Sequence, residues 1–80
     1  MKRREDQIIA DLGVAMKFKL MRHRSKGGWK HKSKDTLLKE LKREVGELEE
    51  AIVAGKNPEH IISEAADVAN YLAFIIEKVK

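Results

Sequence analysis

Two pairs of acidic residues, each with its members three positions apart, lie in the second half of the chain: Glu44 with Glu47, and Glu64 with Asp67. Residues three apart are neighbours on the surface of an α-helix, so each pair would present two carboxylates together. Clustered carboxylates repel one another, and a divalent cation relieves that repulsion. In a chain without cysteine or a paired-histidine motif, such oxygen ligands favour a hard ion, Mg²⁺, with Mn²⁺ as the alternative.

The first acidic pair lies in residues 35–54, where apolar residues recur with the period of a helix. Turning each residue by about 100° around the helix axis places Glu44 between Leu37 and Ala51, inside the apolar face. Glu47 falls at the edge of the same face. An ionised carboxylate is costly to bury without a partner, so the position of Glu44 indicates a carboxylate that holds something.

The second acidic pair lies in residues 58–78, where apolar residues cover roughly 220° of the helix circumference. Glu64 falls within this broad face, between Tyr71 and Ile75, and Asp67 lies just beyond it. A helix so broadly apolar needs several neighbours, which three helices in 80 residues barely supply. We therefore predict a helical bundle completed by further copies of the chain, as a homodimer or a homotetramer.

The rest of the chain contains one more helical segment, at residues 4–22, followed by a glycine-containing loop at 23–34. No stretch alternates apolar and polar residues as a strand would. The predicted fold is therefore all-α, with a three-helix protomer and a single domain over residues 1–80. Lys19 falls near the middle of the apolar stripe of the first helix, and we expect its ammonium group to reach water along this surface. The alternative is a ligand-binding role for Lys19.

The composition is that of a globular chain, with 42% hydrophobic residues and a net charge of only +4. The longest uninterrupted apolar run, residues 71–76, is far shorter than the ~20 residues that cross a bilayer, so no membrane association is expected. The absence of cysteine suits a reducing compartment. These features together predict a cytoplasmic protein.

With their surroundings, the two acidic pairs read EVGELEEAI and EAADVANYL, and they resemble the motifs of the MazG-like all-α nucleoside triphosphate pyrophosphohydrolases. The resemblance covers about residues 37–79. It implies Mg²⁺-dependent hydrolysis between the α and β phosphates of a nucleoside triphosphate, which gives a nucleoside monophosphate and pyrophosphate. It also implies a helical bundle assembled from at least two chains.

The resemblance, carried over residue by residue, implies roles for five side chains. The metal ligands would be Glu44, Glu47, Glu64 and Asp67, and Asn70, one turn further on, would contact the nucleotide. We assign catalysis to Glu44 and Glu47. Glu47 would orient the attacking water, because it lies at the edge of the packed face.

The chain departs from the family pattern at Arg43, where many members have a further acid immediately before the first pair. Glu40, one turn earlier on the same helix, is the candidate to substitute for that acid. This departure leaves open both the number of metal ions and the identity of the carboxylate that activates water.

A second signal is the run of residues 12–34, which contains no acid but eight lysines or arginines and two histidines. If the chain is an enzyme, this run supplies the phosphate side of the site. Arg24, Lys26 and Lys30 would then contact the phosphates, and Trp29 would offer a face to the base. The other interpretation is a solvated loop in which Trp29 is an ordinary packing anchor.

Two non-catalytic functions compete with the enzyme. A basic helical module would bind the phosphate backbone of nucleic acid with the same basic run. That function does not account for acids inside apolar faces, so we expect no nucleic-acid partner. The second competitor is a regulatory dimerisation module with an inactive site. Metal-dependent turnover of a nucleotide would separate the enzyme from both.

Overall fold

The computed structural model describes residues 3–23 and 28–80. Three α-helices follow one another along the chain: α1 over Glu5–His23, α2 over Lys34–Val53 and α3 over Pro58–Val79. The two described ranges contain no β-strand, and none of their helices combines the length and apolarity needed to cross a membrane. The prediction of an all-α chain with three helices is confirmed, and each predicted helix boundary lies within one residue of the observed one.

Helices α2 and α3 are each preceded by a residue whose side chain satisfies a free backbone N–H group. Ser33 Oγ accepts from Thr36 N at 3.1 Å, and Asn57 Oδ1 accepts from His60 N at 2.9 Å; both contacts are N-caps. Between the two helices, Gly55 has a φ of 67°, a left-handed conformation that glycine adopts without a steric penalty. Because the connection is short, α2 and α3 form an antiparallel hairpin.

Helix α3 is the central element, because it packs against both α1 and α2. These contacts enclose few side chains. In the described part of the chain the buried apolar residues are Leu37, Ala51 and Ala66, and Glu44 and Asn70 are buried as well. A core this small leaves much of the apolar surface uncovered.

Each helix of the α2–α3 hairpin carries a row of exposed or half-buried apolar residues at alternating spacings of three and four. The row on α2 consists of Leu38, Leu41, Val45, Leu48 and Ile52, and the row on α3 of Ile62, Ala65, Ala69, Leu72, Ile76 and Val79. Val45 is 46% exposed and Ile76 is 56% exposed. At about 100° per residue, each row forms one stripe along its helix. We call this surface the apolar seam; its spacing is that of helices that pack in coiled coils.

Candidate metal centre

The α2–α3 hairpin brings three of the four predicted metal ligands together. Glu44 and Glu47 lie one turn apart on α2, and Glu64 lies on α3. Each offers one carboxylate oxygen, and these oxygens all lie within 4.8 Å of one another. We call these three residues the acidic triad. The three residues lie together because of the rotation of α2 about its axis. Leu37 and Ala51, which flank Glu44 on the helical wheel, are buried, so Glu44 lies on the packed face of the helix.

Glu44 is the buried member of the acidic triad. It is 9% exposed, and its Oε2 has no hydrogen-bond partner among the described residues. Burial first, and then the nearby carboxyls of Glu47 and Asp67, raise the pKa of Glu44 to about 7. Arg43 Nη2 lies 3.5 Å from Glu44 Oε1 and offsets part of this effect. The second oxygen of Glu44 is therefore enclosed and unpaired.

The other two members of the acidic triad differ in their access to solvent. Glu64 Oε2 is also enclosed and has no hydrogen-bond partner in the described ranges. Glu64 Oε1 lies 3.5 Å from His60 Nε2, one turn earlier on α3. Glu47, in contrast, is exposed. The triad thus combines two enclosed, unpaired oxygens with one side open to water.

The fourth predicted ligand, Asp67, lies outside the acidic triad. Its Oδ2 is 3.2 Å from Nζ of Lys19, whose side chain is only 15% exposed. Lys19 Nζ also donates to Ser63 Oγ at 2.7 Å. The prediction that the Lys19 ammonium group reaches water is therefore wrong. Asp67, half-buried on α3, provides a counter-ion for Lys19 that the apolar stripe of α1 alone does not reveal.

Glu40, the candidate substitute for the missing family acid, is also engaged elsewhere. Both of its carboxylate oxygens accept from Lys32 Nζ, at 2.8 and 2.9 Å. This contact with Lys32 lowers the pKa of Glu40. Burial, together with the charge of Glu40, raises the pKa of the neighbouring Tyr71 to about 12. Glu40 therefore helps to hold the segment before α2 against that helix and does not join the triad.

A cleft of about 770 Å³ opens beside the acidic triad. Glu44 and Asp67 line its acidic part, and its cationic groups come from three segments of the chain. These groups are Lys19, Lys30, Lys32 and Arg43. Of the four, only Lys30 was a predicted site residue. Lys19 carried a usable signal, because it interrupts an apolar stripe, and so did Arg43, because it adjoins Glu44 on α2. Lys32 carried none, because its place depends on how the segment before α2 folds back.

Aromatic side chains form the far wall of the cleft. Trp29 stacks on Phe74 with ring centroids 5.0 Å apart and an interplanar angle of 5°, and Tyr71 meets Phe74 edge to face. Lys78 Nζ lies 5.5 Å from the centroid of the Trp29 ring and donates to the carbonyl of Lys30 at 2.6 Å. The indole is thus contacted by Phe74 and by Lys78, so Trp29 is a packing anchor.

The remaining predicted site residues are placed as follows. Arg24 and Lys26 lie outside the described residues. Lys30 is exposed at the cleft. Asn70 is 8% exposed, and its Nδ2 donates to the carbonyl of Met16 at 3.0 Å. Asn70 therefore lines the cleft while it ties α1 to α3.

Comparison with known proteins identified no relative of the chain. No family model, curated protein or solved structure matches the chain. The resemblance to MazG-like enzymes thus stays a prediction carried by two motifs. Any function assigned to the chain must be argued from the triad, the cleft and the apolar seam.

Proposed function

We propose that the protein is a Mg²⁺-dependent nucleoside triphosphate pyrophosphohydrolase, which cleaves between the α and β phosphates to give a nucleoside monophosphate and pyrophosphate. The observation that carries the proposal is the unpaired, enclosed Oε2 of Glu44 inside a group of three carboxylates. A single buried carboxylate without a partner is costly, and three together are more so. A bound cation removes this cost.

The residues of the acidic triad fit a hard divalent cation. They supply only carboxylate oxygens, at separations that one ion can bridge. Glu44 and Glu64 each also have an enclosed oxygen with no hydrogen-bond partner among the described residues. Mg²⁺ commonly binds through a few carboxylates together with substrate phosphates, and Mn²⁺ accepts the same ligands. Glu44, Glu47 and Glu64 would hold the ion, with Asp67 next to them.

The cleft provides the other features that a triphosphate requires. Lys30, Lys32 and Arg43 would neutralise phosphate oxygens along the wall, and the aromatic side chains would border the base. When bound, Mg²⁺ offsets the charge that develops on the phosphates and makes a coordinated water more acidic. Glu47 is the exposed acid of the triad, so it can orient water that enters from solvent.

We further propose that the chain acts as a homodimer, in which the apolar seams of two copies pack together. A second copy of the chain would cover the apolar seam, because both rows follow the coiled-coil spacing and two hairpins would form a four-helix bundle. Large side chains such as Leu72 and Ile76 would otherwise face water, at 48% and 56% exposure. The substrate and the cation are both abundant in the cytoplasm, where we expect the protein to act.

The alternative is a regulatory dimerisation module without catalysis. One observation favours it: Asp67 is paired with Lys19 and not gathered with the triad, so the four-acid site is incomplete in the free chain. A nucleic-acid-binding module would make use of the same lysines but leaves the enclosed carboxylates unexplained. These functions differ in whether any nucleotide is turned over.

A panel of ribo- and deoxyribonucleoside triphosphates, assayed with Mg²⁺ for pyrophosphate and for phosphate separately, tests the proposal. Pyrophosphate is the expected product, and a chelator should abolish its release. Glu44→Gln and Glu64→Gln should each lower turnover by more than about 100-fold while the protein stays folded. Glu50→Gln, an exposed acid on α2, is the matched control. The proposal fails if no triphosphate yields pyrophosphate, or if both triad variants keep full turnover.

A further inference from the structure

Lys19 joins α1 to α3 beside the acidic triad. Its Nζ donates to Ser63 Oγ at 2.7 Å and lies 3.2 Å from Asp67 Oδ2. The same side chain lines the cleft. An ammonium group has three donors, so these two protein partners leave one donor for a ligand in the cleft.

Asp67 is held by Lys19 at the border of the triad. It lies close enough to help raise the pKa of Glu44, yet its oxygens are not within reach of all three glutamates. Asp67 Oδ2, which lies against Lys19 Nζ, can bind a cation only after it leaves that ammonium group. Lys19 and a metal ion therefore compete for this oxygen.

We propose that Lys19 is a positioning residue that withholds Asp67 from the metal in the free protein and releases it when an anionic polyphosphate enters the cleft. This inference rests on the proposed function, because it needs both a cation and a triphosphate. Phosphate oxygens carry several negative charges, so they compete with Asp67 for the ammonium group. The released Asp67 lies one turn of α3 beyond Glu64 and becomes the fourth carboxylate of the centre.

Binding of the metal and binding of the nucleotide are then coupled through Lys19. Coupling free energies are reciprocal, so each ligand strengthens the other by the same factor. Direct contact between the cation and the phosphates contributes to this coupling in any such site. The Lys19 exchange adds about tenfold to it, within the range typical of coupled sites.

The first measurement uses Mn²⁺ alone, titrated into the full chain by calorimetry. Lys19→Met removes the counter-ion of Asp67 and should tighten Mn²⁺ binding by about fivefold or more. The same substitution in an Asp67→Asn background should leave Mn²⁺ affinity unchanged. Ser63→Ala, which keeps the ion pair, and Lys17→Met, an exposed lysine of the same helix, are the matched controls.

The second measurement separates substrate binding from turnover. Lys19→Met should raise KM for the preferred triphosphate about tenfold and change kcat far less, because Asp67 is already released in the variant. If Lys19 only joined α1 to α3, the Lys19→Met substitution would lower thermal stability and would not raise KM selectively over its effect on kcat. Circular dichroism of each variant shows whether the helices are intact.

Unchanged or weaker Mn²⁺ binding by a folded Lys19→Met variant overturns the inference, and so does an equal effect in the Asp67→Asn background. If the unsubstituted chain hydrolyses a triphosphate but either of these Mn²⁺-binding results is found for Lys19→Met, the inference fails and the proposed function stands. If the unsubstituted chain binds neither Mn²⁺ nor a non-hydrolysable triphosphate, the two fail together.

Discussion

Replacing Glu44 with glutamine should stabilise the metal-free protein at pH 8 while it destroys the metal site. Glutamine has nearly the same shape as glutamate but carries no charge, so the buried position no longer holds an ionised group without a partner. The folded state raises the pKa of Glu44 from its ordinary 4.5 to about 7. The folded protein thus binds this proton more tightly than the unfolded chain does.

The sign and size of the effect follow from that pKa. The protonated carboxyl contributes fully to stability below about pH 4.5, and its contribution falls as the pH rises to about 7. At about 1.4 kcal/mol per pH unit, this window corresponds to a loss of up to about 3 kcal/mol once Glu44 is ionised. We therefore expect Glu44→Gln to be about 2 kcal/mol more stable than the unsubstituted chain at pH 8, and to have no advantage at pH 4.5.

The assay is urea unfolding followed by far-ultraviolet circular dichroism, at one protein concentration, with and without chelator. Using the difference between the two proteins at each pH cancels the titration of carboxylates that they share. For a domain of this size, 1 kcal/mol shifts Tm by about 4–8 °C, so a thermal scan resolves the same effect. Addition of Mn²⁺ at pH 8 should stabilise the unsubstituted chain and reverse the order of stability.

A lower stability of Glu44→Gln than of the unsubstituted chain at pH 8 in chelator would refute this reasoning. It would mean that the ionised carboxylate is well paired in the folded protein, for instance by Arg43, and that no cation is needed. Glu50→Gln should show neither the pH dependence nor the response to Mn²⁺.

Three further outcomes are expected from the fold. Val45→Glu, which places a charge in the apolar seam, should convert the proposed dimer to a monomer in light scattering, whereas Val53→Glu, at a site 82% exposed outside the seam, should not. Phe74→Ala should shift the fluorescence of Trp29, the single tryptophan, to longer wavelength, because the indole loses its stacking partner. Gly55→Ala should cost about 1 kcal/mol in urea unfolding, because alanine is strained at a φ of 67°.

The helices and most of the acidic centre could be predicted because both depend on local periodicity. Apolar spacing fixed the rotation of α2 and α3, and the three-residue spacing put Glu44 and Glu47 on one face. The burial of Leu37 and Ala51 on either side of Glu44 confirms that rotation. Once the two helices form a hairpin, Glu64 has to lie near the first pair.

The partners of the remaining polar groups could not be predicted in the same way. The contacts of Asp67 with Lys19 and of Glu40 with Lys32 depend on how α1 and the segment before α2 fold back, and no periodicity encodes that. The stacking of Trp29 on Phe74 is likewise a contact between distant parts of the chain. A sequence pattern shows which groups need a partner, while tertiary packing decides which partner they find.

The apolar seam has a consequence for how the protein would behave at low abundance. A chain that completes its core by pairing has a folded population that depends on its own concentration, so no single free energy of unfolding describes it. Dilution would favour separated, partly unfolded chains, which proteases remove. Activity in a cell would then fall more steeply than in proportion to the amount of chain synthesised.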